Sequence, residues 1–298
     1  MENTQILSLH QIYKNYGPIQ ALKGVSFDVP AGSVFGILGP NGSGKTTLLG
    51  IIMDVLKANS GTYSWFGQST HHDQRKRIGS LLETPNFYHY YSAVRNLQIT
   101  AAIKGRGADD IERVLRIANL WERKDSKFST FSLGMKQRLA IANALLGKPE
   151  VLLLDEPTNG LDPAGIAEIR DLIRQLGTQG TTVIMASHML DEVEKVCNHV
   201  AILKKGDLLT TGHVDEVLAN EDMVELGAAD LTRLEDVLNA LPGVKSIRRY
   251  NGTFQVMFTE SKTAEQINQI CFEQGITLNY LATKRKSLEA RFMELTNN

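Results

Sequence analysis

The 298-residue sequence has only two cysteines, a nearly balanced charge and no long apolar segment. Cys197 and Cys271 are far apart and have no partners at metal-ligand spacing, which excludes a disulfide framework and indicates a reducing compartment. The 32 basic and 33 acidic residues give a net charge of −1, so the overall charge favours no nucleic-acid partner. The N-terminal stretch MENTQILSLHQIYKNYG has no basic region followed by an apolar core, so the sequence predicts no signal peptide. No run of about 18 apolar residues occurs, so it predicts no membrane-spanning helix.

Two different strand patterns occur in the first three quarters of the chain. Residues 1 to about 40 alternate apolar and polar positions in the runs ILSLHQIY, VSFDV and SVFGILG, which predicts an antiparallel sheet. Later, helix patterns lead into the apolar runs EVLLLDE (150–156) and TTVIMAS (181–187), which are typical of strands buried on both faces of a parallel sheet. The body of the protein is therefore predicted to be α/β.

The pattern changes from about Asp222 to strand, helix, strand, strand, helix, strand. The sequence Asn-Gly at 251–252 predicts a hairpin turn, and residues 263–274 predict the second helix. This order predicts a small ferredoxin-like α+β domain, followed by a last helix in SLEARFMEL. We therefore expect domains at 1–221 and 222–298, the second serving packing or regulation.

The stretch GILGPNGSGKTT matches the pattern G-x-x-x-x-G-K-[ST] between an apolar strand and a helix-like segment. Glycines allow successive backbone N–H groups to face an anion, and the following helix adds positive potential at its N-terminus. Lys45 would reach the β- and γ-phosphates, and the Thr46 hydroxyl would coordinate Mg²⁺. The predicted ATP-binding residues of this loop are Gly39, Pro40, Asn41, Gly42, Ser43, Gly44, Lys45, Thr46 and Thr47.

The run VLLLDEP carries two acidic residues at the end of an apolar strand. A carboxylate there is costly unless a cation neutralises it, so Asp155 is a candidate ligand for the same Mg²⁺. Glu156 would accept a proton from an attacking water. Taken alone, the run also fits a strand that ends in acidic turn residues before Pro157.

The stretch FSTFSLGMKQRLAIANALLG, residues 128–147, predicts a helix with Ser132 as its N-cap and one apolar face. Gly134 lies in the first turn, where glycine lowers helix stability. Its presence indicates that something must approach the backbone closely at this point.

With these motifs in this order, residues 5 to about 220 resemble the nucleotide-binding subunit of ATP-binding cassette (ABC) transporters. By this resemblance, Ser132 and Gly134 belong to the signature loop, which contacts the ATP held by a partner chain. This loop is usually Ser-Gly-Gly-Gln and here reads Ser-Leu-Gly-Met.

The resemblance also implies roles for residues outside the three motifs. Asp162 in NGLDP is the D-loop residue, and Tyr16 in NYG matches the aromatic residue that stacks on adenine. His188 in ASHMLDEVE would hydrogen-bond the γ-phosphate and hold the attacking water together with Glu156. Glu83 stands where the family usually has the glutamine of the Q-loop, and it is a further candidate ligand for Mg²⁺.

The fold implied by the resemblance is a P-loop NTPase cassette with a mixed core sheet, an antiparallel β subdomain and a helical signature subdomain. The implied function is hydrolysis of ATP with Mg²⁺ by a dimer formed with a second copy or a related cassette subunit. An integral-membrane permease, docking near residues 83–91, would use the closing and opening of this dimer. The protein would therefore be peripheral on the cytoplasmic face of the cell membrane.

Glu83 together with SLGMKQR is similar to the branch with bacitracin-type and related ABC-2-type exporters; the transported substrate stays open. Two other functional classes share this motif set. A soluble, non-transport ABC ATPase usually has tandem cassettes or a coiled-coil insertion, which are not found here. A non-hydrolysing subunit that binds ATP for assembly fits the altered loops. The residues that argue against it are intact: Lys45, Asp155, Glu156 and His188.

Overall fold

The computed structural model divides into two compact units, Met1–Gly212 and His213–Asn298. The described residues are 4–69, 72–82, 86–218, 223–259, 262–284 and 288–297. The predicted domain boundary, between residues 221 and 222, lies outside the described residues, so the limits 1–221 and 222–298 stay a prediction.

The first unit combines strands and helices. Its strands are β1 (Gln5–Tyr16), β2 (Ile19–Pro30), β3 (Val34–Leu38), β4 (Ser60–Trp65), β5 (Gln68–Ser69), β6 (Ile78–Leu81), β7 (Val151–Asp155), β8 (Thr182–Ser187), β9 (His199–Lys204) and β10 (Asp207–His213). Its α-helices are α1 (Lys45–Ile52), α2 (Ala93–Lys104), α3 (Ile111–Ile117), α4 (Leu133–Ala144), α5 (Pro163–Thr178) and α6 (Leu190–Glu194). Short 3-10 helices lie at His72–Arg77, Ala108–Asp110, Trp121–Arg123 and Phe128–Thr130.

Two sheets form the frame of this unit. An antiparallel sheet has the strand order β2-β1-β4-β5, and the core sheet has the order β10-β9-β3-β8-β7-β6. In the core sheet, β9, β3, β8, β7 and β6 run parallel. Helices α2, α3 and α4 pack on one another. The predicted cassette, with its antiparallel and helical subdomains, is therefore confirmed.

The three central strands are buried on both faces. Every residue of β3, β7 and β8 is buried, as the apolar runs at 150–156 and 181–187 predict. The sequence prediction was wrong for β3, which it grouped with the antiparallel strands. Because β3 lies between β8 and β9, with α1 and α5 packed against the sheet, all five of its residues face the core.

The second unit contains α7 (Val214–Leu218), β11 (Met223–Ala228), α8 (Leu231–Ala240), β12 (Val244–Tyr250), β13 (Thr253–Phe258), α9 (Ala264–Glu273), β14 (Leu278–Lys284) and α10 (Leu288–Asn297). Its antiparallel sheet has the order β12-β13-β11-β14. This confirms the predicted α+β order. Asn251 and Gly252 have φ values of 45° and 82°, which is the hairpin geometry that the Asn-Gly pair predicts.

Helices α8 and α9, which lie between strands of this sheet in the chain, each begin at a side-chain cap. Asp230 accepts from the backbone N–H of Arg233 at the start of α8, and Thr263 forms a capping box with Gln266 at the start of α9.

No helix among the described residues of either unit combines the length and hydrophobicity needed to cross a membrane.

Candidate functional site

The loop between β3 and α1 is shaped by glycines that no other residue could replace. Gly39 has a φ of 155° and Gly44 a φ of 108°. A Cβ atom at Gly39 would lie 2.2 Å from the carbonyl oxygen of Leu203, and one at Gly44 would lie 2.6 Å from that of Ala21. Both distances are below van der Waals contact, so the close approach of neighbouring backbone requires glycine at both positions.

Lys45 opens α1 and its side chain is buried, with 6% exposed. Its ammonium group donates to the carbonyl oxygens of Gly39 (2.7 Å) and Pro40 (3.3 Å) and lies 3.4 Å from the Glu156 carboxylate. The first turn of α1 contains no acidic residue, so nothing in that turn cancels the positive potential of the helix N-terminus. The buried Ser43 hydroxyl has no hydrogen-bond partner among the described residues.

Asp155 and Glu156 lie where β7 ends, and His188 follows the neighbouring strand β8. Asp155 is buried. Glu156 has a φ of 46°, and its backbone N–H donates to the carbonyl oxygen of Ala186 (2.9 Å). This left-handed conformation costs roughly 1 kcal/mol in a residue other than glycine. It turns the chain so that a Glu156 carboxylate oxygen lies 2.8 Å from His188 Nδ1.

A cavity of about 510 Å³ opens over the phosphate loop. It is lined by residues 41–47, by Glu156 and by the half-exposed ring of Tyr16. The structure therefore brings most of the predicted nucleotide-binding residues to one cavity. The lining also includes residues that the sequence analysis missed, namely Ile19, Gln20, Ala21 and Lys205. These residues belong to no motif. They are found only because the structure places β2 and the β9–β10 turn next to the phosphate loop.

Ser132, Gly134 and Asp162 do not join that cavity. They line a second cavity of about 470 Å³, which shares no residue with the first. The remaining predicted residue, Glu83, lies outside the described residues. Gly39, Pro40, Asp155 and His188 are not among the lining residues of either cavity. The structure thus places most of the predicted residues at two separate cavities, and their predicted chemical roles stay predictions.

The start of α4 has the predicted cap. The Ser132 hydroxyl accepts from the backbone N–H of Met135 (3.3 Å), and the first intrahelical bond runs from Lys136 to the Ser132 carbonyl oxygen (2.9 Å). The N–H groups of Leu133 and Gly134 have no hydrogen-bond partner within the described chain, as is usual in a first helical turn. They are donors available to a ligand.

Nothing near Gly134 within the described chain requires a glycine. A Cβ atom there would meet only the Gly165 Cα atom, at an ordinary contact distance of 3.9 Å. The adjacent Leu133 side chain is 48% exposed and lies beside Gly160, which is four residues after Glu156. Asp162 caps α5 by accepting from the N–H of Gly165 (3.0 Å).

A glycine-rich phosphate loop between a buried strand and a helix, with acidic residues at the end of a nearby parallel strand, defines the class of phosphate-loop nucleoside triphosphatases. The profile of the family described as ABC transporter matches residues 22–159. The chain is 37% identical to YhcH of Bacillus subtilis, an uncharacterized ABC transporter ATP-binding protein, over 98% of this chain and 96% of YhcH. The chain therefore belongs to the ABC transporter family of ATP-binding proteins, which are ATPases.

Two further comparisons connect this family to transport and to a dimer. The bacitracin transport ATP-binding protein BcrA of Enterococcus faecalis is 31% identical over 97% of this chain and 96% of BcrA. The dimeric post-hydrolysis structure of the ATP-binding cassette MJ0796, bound to ADP and Pi, is 27% identical. It matches with a TM-score of 0.62 over 70% of this chain and 99% of that chain.

Proposed function

We propose that this chain is the ATP-hydrolysing subunit of an ABC exporter, acting as a dimer around two ATP molecules and driving a separately encoded membrane permease. One observation carries the proposal. The Glu156 carboxylate lies 2.8 Å from His188 and 3.4 Å from Lys45 at a cavity lined by the phosphate loop. A carboxylate, an imidazole and a lysine beside a phosphate-binding loop are the groups that ATP hydrolysis needs.

ATP would occupy the cavity of about 510 Å³. The ring of Tyr16 offers a flat apolar face to adenine, and the loop N–H groups together with Lys45 bind the phosphates. The ammonium group of Lys45 would exchange its contacts with the Gly39 and Pro40 carbonyl oxygens for phosphate oxygens. The buried Ser43 hydroxyl, which has no partner among the described residues, would gain one.

Glu156 is the proposed base that accepts a proton from the attacking water. Because a carboxylate only accepts hydrogen bonds, the 2.8 Å contact requires His188 Nδ1 to donate to Glu156. This bond fixes the orientation of the imidazole. Nε2 can donate to a γ-phosphate oxygen when both ring nitrogens carry a proton, because in the neutral ring that nitrogen would only accept. His188 would in this way fix the position of Glu156 relative to the γ-phosphate.

The oxygen donors at the site fit Mg²⁺. Thr46 lines the cavity with a hydroxyl and Asp155 ends β7 with a buried carboxylate, and Mg²⁺ prefers such ligands. The described residues contain no cluster of three or more His, Cys, Asp or Glu side chains that could hold a metal ion. Such a sparse set suits Mg²⁺, which is usually held by one or two protein groups together with substrate phosphates and water. When bound, the ion supplies charge stabilisation to the transferring phosphoryl group.

The second cavity supports a dimer in which each ATP meets both chains. Gly134 exposes a helix N-terminus with free N–H donors, and no contact within the described chain explains the glycine. A γ-phosphate held by a partner chain gives that position a purpose, because an anion at a helix N-terminus is stabilised by the dipole and the donors. The dimeric MJ0796 cassette bound to ADP and Pi supports this arrangement.

Export through a permease is supported by the relationship to BcrA, which is named for bacitracin transport. The region expected to dock the permease contains exposed tyrosines. Tyr88, Tyr90 and Tyr91 are 59%, 86% and 46% exposed, and clustered aromatic side chains of this kind mark interaction surfaces. A permease at this surface would hold the chain on the cytoplasmic face of the membrane.

Reconstitution tests the proposal. The chain is purified with the membrane protein that accompanies it in native membranes, and ATP turnover is measured with and without that protein in lipid vesicles. An ATPase of a transporter hydrolyses ATP and is altered in rate by its permease. Turnover that is indifferent to every co-purifying membrane protein would favour a soluble ATPase, and ATP binding without turnover would favour an assembly subunit.

A further inference from the structure

The turn between β9 and β10 is hydrogen-bonded to the phosphate loop. Lys205 and Gly206 form its centre with φ values of 49° and 86°, the pattern of a type I′ hairpin turn. The N–H of Gly206 donates to the carbonyl oxygen of Ser43 (3.0 Å), and its carbonyl oxygen accepts from the N–H of Lys23 (2.9 Å). The position of Lys205 is therefore set relative to the loop that is proposed to bind phosphate.

Lys205 has no counter-charge in the described parts of the protein. Lys23, on the neighbouring strand, pairs with Asp207 at 2.6 Å, and Lys45 has Glu156 and two carbonyl oxygens. Lys205 makes no such contact within the described residues, although it is one of the residues that line the cavity over the phosphate loop.

The charges that line this cavity favour an anion. Among its described lining residues, Lys45 and Lys205 are cationic and Glu156 is the single carboxylate. The first central position of a type I′ turn also favours Asn, Asp or Gly, so a lysine there is disfavoured by the local backbone. A residue held in an unfavourable conformation at a ligand cavity indicates a role that local stability does not explain.

We propose that Lys205 is a nucleotide-binding residue whose ammonium group pairs with a phosphate oxygen of the bound nucleotide. This inference rests on the proposed function, because it concerns the same ATP site. It predicts that Lys205 contributes to the binding of charged nucleotides and contributes nothing to the binding of adenosine.

The test compares Lys205→Asn with Lys205→Arg and with Lys148→Asn as a matched control. Asparagine suits the turn, so Lys205→Asn removes the ammonium group without disturbing the fold. Lys148 is also an exposed lysine at positive φ (53°), but it lies outside the cavity. Affinities for ATP, ADP and adenosine are measured by titration calorimetry on the full chain at low and high salt.

Lys205→Asn is expected to weaken ATP and ADP by about three- to fivefold at low salt, with a smaller difference at high salt. Adenosine affinity should not change, Lys205→Arg should bind ATP as the wild type does, and Lys148→Asn should have no effect. Unchanged ATP affinity in Lys205→Asn, or an equal loss for adenosine, would overturn the inference.

Lys45→Ala separates this result from failure of the proposed function. If the wild type binds ATP and Lys45→Ala does not, while Lys205→Asn binds as tightly as the wild type, only the inference about Lys205 fails. If the wild type binds no ATP, the proposed function fails and this inference fails with it.

Discussion

The substitution Glu156→Gln isolates the proposed base with the least change in shape. The carboxylate contacts two residues: His188, through Nδ1 at 2.8 Å and the backbone N–H at 3.4 Å, and Lys45, through Nζ at 3.4 Å. A glutamine side chain keeps the length and can still accept a hydrogen bond from His188 through its amide oxygen. What it loses is the negative charge and the ability to take up a proton.

The substitution should lower the rate of hydrolysis far more than it lowers the stability of the fold. A positioned general base contributes roughly 10²- to 10⁴-fold to a rate, which corresponds to about 2.7–5.4 kcal/mol at 1.36 kcal/mol per tenfold. The fold loses only the attraction between Lys45 and Glu156, and Lys45 retains hydrogen bonds to two loop carbonyl oxygens. Since Glu156 is 22% exposed, we expect destabilisation by about 1 kcal/mol or less.

The assay measures phosphate release, ATP binding and association state for the same preparations. Glu156→Gln should lose at least about 10²-fold in turnover, still bind ATP, and accumulate as an ATP-bound dimer in size-exclusion chromatography. Glu150→Gln is the matched control, because Glu150 precedes the same strand and pairs with Arg77 away from the cavity. Turnover by Glu156→Gln within about threefold of the wild type would refute the assignment of Glu156 as the base.

Four other predictions follow from the same geometry. Lys45→Ala should abolish measurable ATP binding in calorimetry, and undiminished affinity would contradict the phosphate-loop interpretation. Gly134→Ala should raise the free energy of unfolding by about 1 kcal/mol, since a methyl group fits there. It should nevertheless lower turnover about 10²-fold, because the methyl group would block the approach of the γ-phosphate to the Gly134 N–H group. Mixing Lys45→Ala with Gly134→Ala chains should restore part of the turnover, because one site of the mixed dimer then has both loops intact; no recovery would argue against sites shared between chains. Deleting residues 223–298 should leave ATP binding in place, because the cassette is a compact unit by itself, and a folded truncation that binds no ATP would contradict this.

Sequence patterns predicted those parts of the fold that depend on local periodicity. The α+β order of the second unit followed from alternating strands, helix caps and an Asn-Gly turn, all of which are local signals. The pairing of β3 was not local. Its five residues look like part of an alternating run, and only the neighbours that cover it on both faces identify it as a parallel core strand.

The candidate site divides in the same way. The glycine spacing and the acidic pair at the end of β7 could be found in the sequence because each lies within one short segment. The 2.8 Å contact between Glu156 and His188 depends on β7 and β8 being neighbours, so the sequence alone suggests it only through family resemblance. Lys205 could not be found, since its place at the cavity depends on a hydrogen bond between Gly206 and Ser43 that joins distant parts of the chain.

The glycine at the start of α4 shows why the altered signature loop does not imply an inactive protein. A glycine in a first helical turn costs about 1 kcal/mol relative to alanine, and the nearest atom to a Cβ at Gly134 is 3.9 Å away. The fold of the described chain would tolerate alanine, so the reason for glycine lies in something that approaches from outside. Leu133, which departs from the usual loop, is 48% exposed and lies beside Gly160, clear of the hydrogen bond between the Ser132 hydroxyl and the N–H of Met135. Ser132 and Gly134, the two residues proposed to meet a phosphate, are therefore both present, and the two departures from the usual loop are Leu133 and Met135.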